Sequence, residues 1–428
     1  MRGTSLWEPL VRRAITGRWD RLQLLRENDV PFPTRLNGLG LYLHVPFCHE
    51  LCPFCPYNRF VYRQHAFELY ERAVCQEIDL YAPHLTGSTI GSLYVGGGTP
   101  SVNVSGLLRI LKHLRIRLPP VSEICVELHP KYMDDSCLAA LRGAGVNMVS
   151  VGVESTSDRL LRSIGRRHDA DTAIAALQRA QAQGFETVNA DLLFALPTET
   201  LAEWESDVHR VLNAGASQVS TYPLFQFPYS EQGRRQSLAR VEQPAAESVR
   251  AMLEATDRIA RGQGLHRCSV WSWIRGSCKK FSSVSRHHYL GFGPSASSMI
   301  GSHFYVNTFQ VDAYTSALPA RRPIALSMRM DRRLQMAYWL YWRAYELFAG
   351  NDQFHDLFGL DQSIDNHFGA ALVPFRLTGL LQRTAQGYRL THEGAYWIHR
   401  IQNHCSLSYI NRLWGACRDT PWPEEVIL

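Results

Sequence analysis

Cys48, Cys52 and Cys55 stand at C-x3-C-x2-C spacing, directly after the strand-like run Leu41-Tyr42-Leu43-His44-Val45-Pro46-Phe47. Thiolates at this spacing suit soft iron, and three of them fall one short of an all-cysteine cluster. One iron is left open, and an open metal position is where chemistry can happen. A zinc knuckle is the competing reading, with His44 or His49 as fourth ligand, but no second C-x2-C pair follows at the usual distance. A disulfide framework is disfavoured: the 10 cysteines are sparse over 428 residues, and the first residues lack the apolar run of a signal peptide. Cys75, Cys125, Cys137, Cys268, Cys278, Cys405 and Cys417 read as small core residues.

Such a loop needs a scaffold, and the pattern around it is regular. Apolar and β-branched runs at 40–46, 92–96, 123–128, 147–153, 187–195 and 217–224 alternate with helical stretches. Phe67, Tyr70, Val74, Ile78 and Tyr81 recur at helix spacing. So do Leu201, Trp204, Val208, Val211 and Leu212, where Thr200 and Glu203 form a capping box and Gly215 marks the end. Repeated strand-helix-strand units require a parallel sheet with right-handed crossovers. The predicted fold class is therefore α/β, a partial (β/α)6 TIM-type barrel.

In such barrels the loops after the strands carry function. The cysteine loop follows the first strand, and Gly96-Gly97-Gly98-Thr99-Pro100 follows the second. Glu127 ends the third, Glu154 ends the fourth, and Asp191 lies within the fifth. Each alone has a dull explanation as a tight turn or a helix cap. All five at one rim point to a site.

The flanks are expected to form a helical lead-in over 1–38 and a mainly helical, winged-helix-like C-terminal domain over 304–428, with the barrel and its connecting segment at 39–303. In the last part, Tyr338-Trp339-Leu340-Tyr341-Trp342-Arg343-Ala344-Tyr345 is an aromatic stripe, read as helix core that could also line a pocket for a flat substrate. A turn at Gln386-Gly387 suggests the wing. The glycine-rich segment 289–298 suits a close backbone approach.

Hydrophobic content of 45% and charged content of 20% are those of a soluble globular chain. The formal charge of +6, from 45 basic and 39 acidic residues, is spread, so nucleic acid is a disfavoured partner. No apolar run has membrane-spanning length, and a cytoplasmic location is expected.

Taken together, these motifs resemble the radical SAM proteins of the oxygen-independent coproporphyrinogen III oxidase-like family. The likeness covers most of residues 39–400. It rests on Tyr42–Cys48, Val95–Pro100, Val126-Glu127-Leu128-His129-Pro130, Val151-Gly152-Val153-Glu154-Ser155 and Asp191–Pro197. It implies that Cys48, Cys52 and Cys55 hold a [4Fe-4S] cluster whose open iron is chelated by S-adenosylmethionine, the source of a 5′-deoxyadenosyl radical. It further implies a second S-adenosylmethionine. Tyr42, Gly97 and Glu127 would touch the first molecule, while Phe54, Gly98, Thr99, Arg166 and Asp191 would hold the second. Glu154 stands where the porphyrinogen-oxidising members have Gln, and with Asp191 it is a candidate catalytic group. A reduced flavodoxin or ferredoxin-type electron donor is implied as a partner.

Within that family Tyr57 stands two places after the third cysteine, where the oxidases carry another. Ser282–His288 replaces the His-Asn-x-x-Tyr-Trp motif of the heme-trafficking branch, with only the His287-His288 pair in its favour. The segment Lys280–Arg286 leading into Leu290-Gly291-Phe292-Gly293 is similar to class C radical SAM methyltransferases and cyclopropanases. That similarity implies transfer of a methyl-derived carbon to an sp2 carbon of a small heteroaromatic natural-product substrate, giving C-methylation or cyclopropanation, with a separate methyltransferase as a possible partner. The alternatives are a coproporphyrinogen III dehydrogenase and a non-enzymatic heme-trafficking protein.

Overall fold

The computed structural model describes residues 21–224, 245–282 and 287–428 apart from Asn28 and Thr34, together with 13, 15–17 and 230; the described side chains exclude 399 and 401–408. Six strands form where the sequence places them: β1 (Leu39–Val45), β2 (Ile90–Gly97), β3 (Ile124–Leu128), β4 (Met148–Glu154), β5 (Thr187–Phe194) and β6 (Gln218–Pro223). Each boundary moves by no more than two residues from the expected range, the usual uncertainty of a fraying end. All six are parallel in the order they occur in the chain.

Period-two alternation sorts the side chains of β1. Leu39, Leu41, Leu43 and Val45 are buried in the layer shared with the helices, while Tyr42 and His44 take the opposite face. The helices close that layer. In α1 (Gln64–Tyr81) the stripe Phe67, Tyr70, Val74, Ile78 and Tyr81 is buried, and in α2 (Val104–Arg117) Leu107, Ile110, Leu111 and Leu114 are. The helix Leu201–Asn213 begins with the capping box of Thr200 and Glu203, and Gly215, at φ 99°, follows its last turn.

A seventh strand, β7 (Tyr289–Phe292), runs parallel to β1 on its other side, pairing Tyr289 with Gly40 and Phe292 with Leu43. From there the sheet continues antiparallel through Ser297–Ile300, His303–Asn307 and Ile324–Arg329 to Gln23–Leu25 and Glu425–Ile427; with Ser272–Arg275 and Leu265–Arg267 added antiparallel beyond β6 it has fourteen strands among the described residues. Two sequence expectations need correction here. Residues 23–25 of the supposed helical lead-in form a strand, because Leu24 is buried in a cluster with Met299, Phe304, Leu326 and Val426. The division at 303/304 falls inside the hairpin of Ser297–Ile300 and His303–Asn307, so the barrel sheet runs on past it. The rest of the lead-in, and the polar stretch after Pro228 up to residue 244, lie largely outside the described residues.

The glycine-rich segment serves this crossing. A Cβ on Gly291 would come 2.4 Å from the Ser297 carbonyl oxygen, and one on Gly293 would come 2.5 Å from that of His44. Beyond the sheet, Arg332–Tyr345, Asn351–Phe358 and Ile364–Leu377 pack around Trp339, Phe354 and Phe368. The hairpin Leu381–Thr384/Gly387–Leu390 pairs with Phe348–Gly350, which is the winged-helix arrangement. Among the described residues no helix is long and apolar enough to cross a membrane.

Candidate active site

The cysteine loop leaves β1 and closes on itself. Phe47–Cys48 pairs with Phe60–Val61, the Phe60 amide donates to the Pro46 carbonyl at 2.7 Å, and the Tyr62 amide donates to the Cys48 carbonyl at 2.8 Å. Cys48 is buried, Cys52 and Cys55 are half-buried, and none of the three is in a disulfide. They are close enough to feel one another's charge. Burial pushes the Cys55 thiol up to about 12 and raises Cys48, where the neighbouring Thr99 side chain partly offsets the rise. Metal binding must therefore expel protons from this loop.

The GGGTP run lies directly against it. The Gly98 amide donates to the Val45 carbonyl and the Thr99 amide to that of Phe47, both at 2.8 Å. A Cβ on Gly98 would sit 2.6 Å from the Phe47 carbonyl oxygen, and Gly97, at φ 112°, would drive one into the His44 ring at 2.6 Å. These glycines are required by the packing of one loop on the other.

Three carboxylates face the same space. Glu127 accepts from the Tyr94 hydroxyl and from the Gly97 amide at 3.1 Å. Asp191 accepts from Ser150 at 2.5 Å and from the Asn189 side-chain amide at 2.9 Å. Glu154, in a left-handed conformation at φ 65°, is paired with Arg166, whose Nη2 also donates to the Gly152 carbonyl at 2.9 Å. Burial raises the proton affinity of all three. Asp191 is pushed up to about 8, first by burial and then by Glu127 and Glu154, while the Arg166 guanidinium counteracts the rise at Glu154.

Arg166 links the two halves. Its Nη1 lies 3.4 Å from the Cys52 sulfur, and its guanidinium lies 5.9 Å from the centre of the Phe54 ring. Its Nε is buried without a hydrogen-bond partner.

The structure thus gathers Cys48, Cys52, Cys55, Thr99, Glu127, Glu154, Arg166 and Asp191. Tyr42 pairs with Tyr94 across β1 and β2, its hydroxyl hydrogen-bonded to His44 Nδ1 at 2.8 Å. Phe54 lies beside Arg166 and packs against Leu160, Ile164, Leu193 and Leu196. Sequence reasoning missed Tyr94, Ser150 and Asn189, which hold the carboxylates. It also missed Arg59, which donates to the Cys52 carbonyl and to that of Tyr57 at 3.2 Å. Tyr94 was findable, since it shares with Tyr42 the inward parity of adjacent strands.

The donor set fits an iron-sulfur cluster better than zinc. Both ring nitrogens of His44 are taken, Nε2 by the Asn58 carbonyl at 2.8 Å, and His49 packs between Tyr62 and Tyr132. Among the described residues no three His, Cys, Asp or Glu side chains close on a single ion. In a cubane each thiolate binds a different iron, so the sulfurs need not converge on one point. Three carboxylates served by one cation, with an unpartnered guanidinium N–H beside them, suit a cofactor bearing both a positive charge and a carboxylate.

Residues 42–211 match the model of the radical SAM superfamily. The chain is 30% identical over 312 residues to the heme chaperone HemW of Mycobacterium tuberculosis, covering 68% of this chain and 80% of that one. This chain belongs to the radical SAM superfamily, in the group of HemW and HemN. The heme chaperone HemW of Bacillus subtilis is 27% identical over 82% of this chain and 95% of its own length. Oxygen-independent coproporphyrinogen III oxidase of Escherichia coli is 28% identical, over 64% of each chain. The solved structure of that oxidase, HemN, superposes with a TM-score of 0.74 over 87% of this chain and 91% of its own, at 24% identity, and shows the fold.

As a member of this superfamily the chain is expected to bind a [4Fe-4S] cluster and S-adenosylmethionine. The expected kinship to class C methyltransferases and cyclopropanases is corrected. Relatives that align along most of the chain include heme chaperones, coproporphyrinogen III oxidases and the anaerobilin synthase of Escherichia coli O157:H7, which is 26% identical over 84% of this chain; with the class C kinship go C-methylation, cyclopropanation, the natural-product substrate and the methyltransferase partner. The short stretch Lys280–Arg286, of which 283–286 lie outside the described residues, is outweighed by a likeness that extends along 82% of the chain. The His287-His288 pair is also placed: it enters β7 beside Gly40, at the opposite end of the strands from the cysteine loop.

Proposed function

We propose that this chain is a radical SAM protein that acts on a tetrapyrrole. The observation that carries the reading is the single rim where three free thiols, three buried carboxylates and Arg166 meet beneath an aromatic mouth. Tyr222 and Tyr345 are neighbours, Trp271 lies 6.2 Å from the Tyr222 ring, and Tyr57 is close enough to Asp191 to feel its charge. Aromatic walls with few polar groups suit a large planar ligand.

Cys48, Cys52 and Cys55 would hold the cluster, and Tyr42, Gly97 and Glu127 the S-adenosylmethionine on it. When bound, these groups supply a carbon radical by one-electron cleavage of a sulfonium. The chain's own residues do the rest. Thr99 stands beside Cys48, Arg166 orients Cys52 and balances Glu154, and burial favours the protonated form of Asp191. A second S-adenosylmethionine would have to use Phe54, Gly98, Thr99, Arg166 and Asp191, of which Gly98 and Phe54 are engaged in packing. One such molecule is therefore the simpler reading.

Heme carriage is the second reading, favoured by the 95% of the Bacillus subtilis chaperone that the chain spans. One experiment separates them. The protein is reconstituted anaerobically with iron and sulfide, reduced with dithionite, and given S-adenosylmethionine with coproporphyrinogen III or with heme. Release of 5′-deoxyadenosine together with a changed macrocycle supports the radical reading. A Soret band without cleavage supports carriage. Neither tetrapyrrole binding nor cleavage overturns both.

A further inference from the structure

The last turns of the long helix His392–Asp419 reach back to the cysteine loop. Arg418 Nη2 donates to the Pro56 carbonyl at 2.7 Å and to the Tyr57 carbonyl at 3.1 Å. One turn earlier, the Trp414 ring lies 6.3 Å from the Tyr57 ring and 6.0 Å from that of Phe309. Phe309 in turn accepts, through its carbonyl, from the Asn58 side-chain amide at 2.7 Å, and the Asn58 carbonyl is bonded to His44 in β1. Four consecutive residues after Cys55, from Pro56 to Arg59, are thereby anchored from outside or across the loop.

We propose that Arg418 and Trp414 are positioning residues for the iron-binding loop, so that its shape is set by the C-terminal helix before iron arrives. The inference rests on the proposed cluster site but is tested separately from it. The excursion over residues 49–59, between Phe47–Cys48 and its partner Phe60–Val61, has few bonds of its own. Among the backbone pairs across it are Cys55 to Cys52 at 3.2 Å and Phe60 to Pro46 at 2.7 Å. A loop so thinly bonded opens locally at low cost unless something outside holds it. A guanidinium donating to two adjacent carbonyls is a strong brace, because charge-assisted hydrogen bonds outweigh neutral ones and the planar group is pre-organised. The brace reaches the main chain, so it constrains the loop whatever its side chains bind.

The test uses the full-length, metal-free chain and reads amide hydrogen exchange over residues 49–61. The variants are Arg418→Ala, Arg418→Lys, Trp414→Ala and, as a control on an exposed position of the same helix, Arg412→Ala. Arg418→Ala is expected to speed exchange at Cys55 and Phe60 about tenfold, with Arg418→Lys in between and Arg412→Ala unchanged. Iron retained per chain after anaerobic reconstitution should fall in the same order, while the thermal midpoint of Arg418→Ala stays near that of the parent. Unchanged loop exchange in Arg418→Ala, or equal acceleration in Arg412→Ala, overturns the proposal. Failure of the parent chain to bind any cluster would instead overturn the functional reading and leave the exchange result to judge the brace.

Discussion

Arg166 Nη1 lies 3.4 Å from the Cys52 sulfur although 114 residues separate them in the chain. The same guanidinium pairs with Glu154, and their side chains are only 9% and 12% exposed. Removing one partner leaves a buried charge uncompensated. Arg166→Ala should destabilise the fold by about 3 kcal/mol in urea unfolding, and the double variant Arg166→Ala with Glu154→Ala should recover part of that loss. A double variant no better than the single one would show that Arg166 matters through Cys52 alone.

Asp191, pushed up to about 8 by burial, gives a pH signature. Its unfolded value is about 3.9, so between about pH 4 and pH 8 the native chain holds a proton that the unfolded chain has lost. The native state binds more protons there, and this group's contribution falls as pH rises, at up to about 1.4 kcal/mol per unit, then levels off above pH 8. Asp191→Asn has nothing to titrate. Its stability relative to the parent should rise from pH 5 to pH 8 in denaturant titrations, and parallel curves would refute the assignment.

The Thr99 side chain stands beside Cys48, where it eases the thiolate form and is placed to donate to the sulfur. Hydrogen bonds to cluster sulfurs stabilise the reduced, more negative state. Thr99→Val should move the reduction potential of the reconstituted cluster to more negative values, measured by anaerobic redox titration, with little change in thermal stability. A positive shift would count against the contact.

Gly98 has the opposite sensitivity. A methyl group there would meet the Phe47 backbone at 2.6 Å. Gly98→Ala should cost about 1–3 kcal/mol by overpacking and should also lower iron retention, because the strand it displaces carries Cys48. Gly143→Ala, where a Cβ meets nothing within 4 Å, is the control in the same melting assay.

At the mouth, Tyr345→Leu removes an aromatic wall and the hydroxyl beside Tyr222. Affinity for heme or coproporphyrin III should weaken about tenfold in fluorescence quenching, the scale of one lost aromatic contact. Unchanged affinity would place the macrocycle elsewhere.

Much of this was legible in order along the chain. The three cysteines, the strand-end carboxylates and the six strands follow from local spacing and from period-two and 3.6-residue patterns, which are properties of neighbouring residues. The capping box of Thr200 and Glu203 depends on nothing far away, and the alternation of β1 is visible in its own residues although its partners are distant.

What only the tertiary structure decided is what lies across the chain from what. That a Cβ on Gly97 would meet the His44 ring, and one on Gly98 the Phe47 backbone, has no trace in the local sequence. The short strand Gln23–Leu25 was read as helix because its partners, Ser327 and Glu425–Ile427, lie hundreds of residues away. The support of Asp191 by Ser150, and of the cysteine loop by Arg418, has no local signature either. Spacing determines which side chains share a face. Only the closing of long loops, driven by burial of the layers between sheet and helices, determines which faces meet.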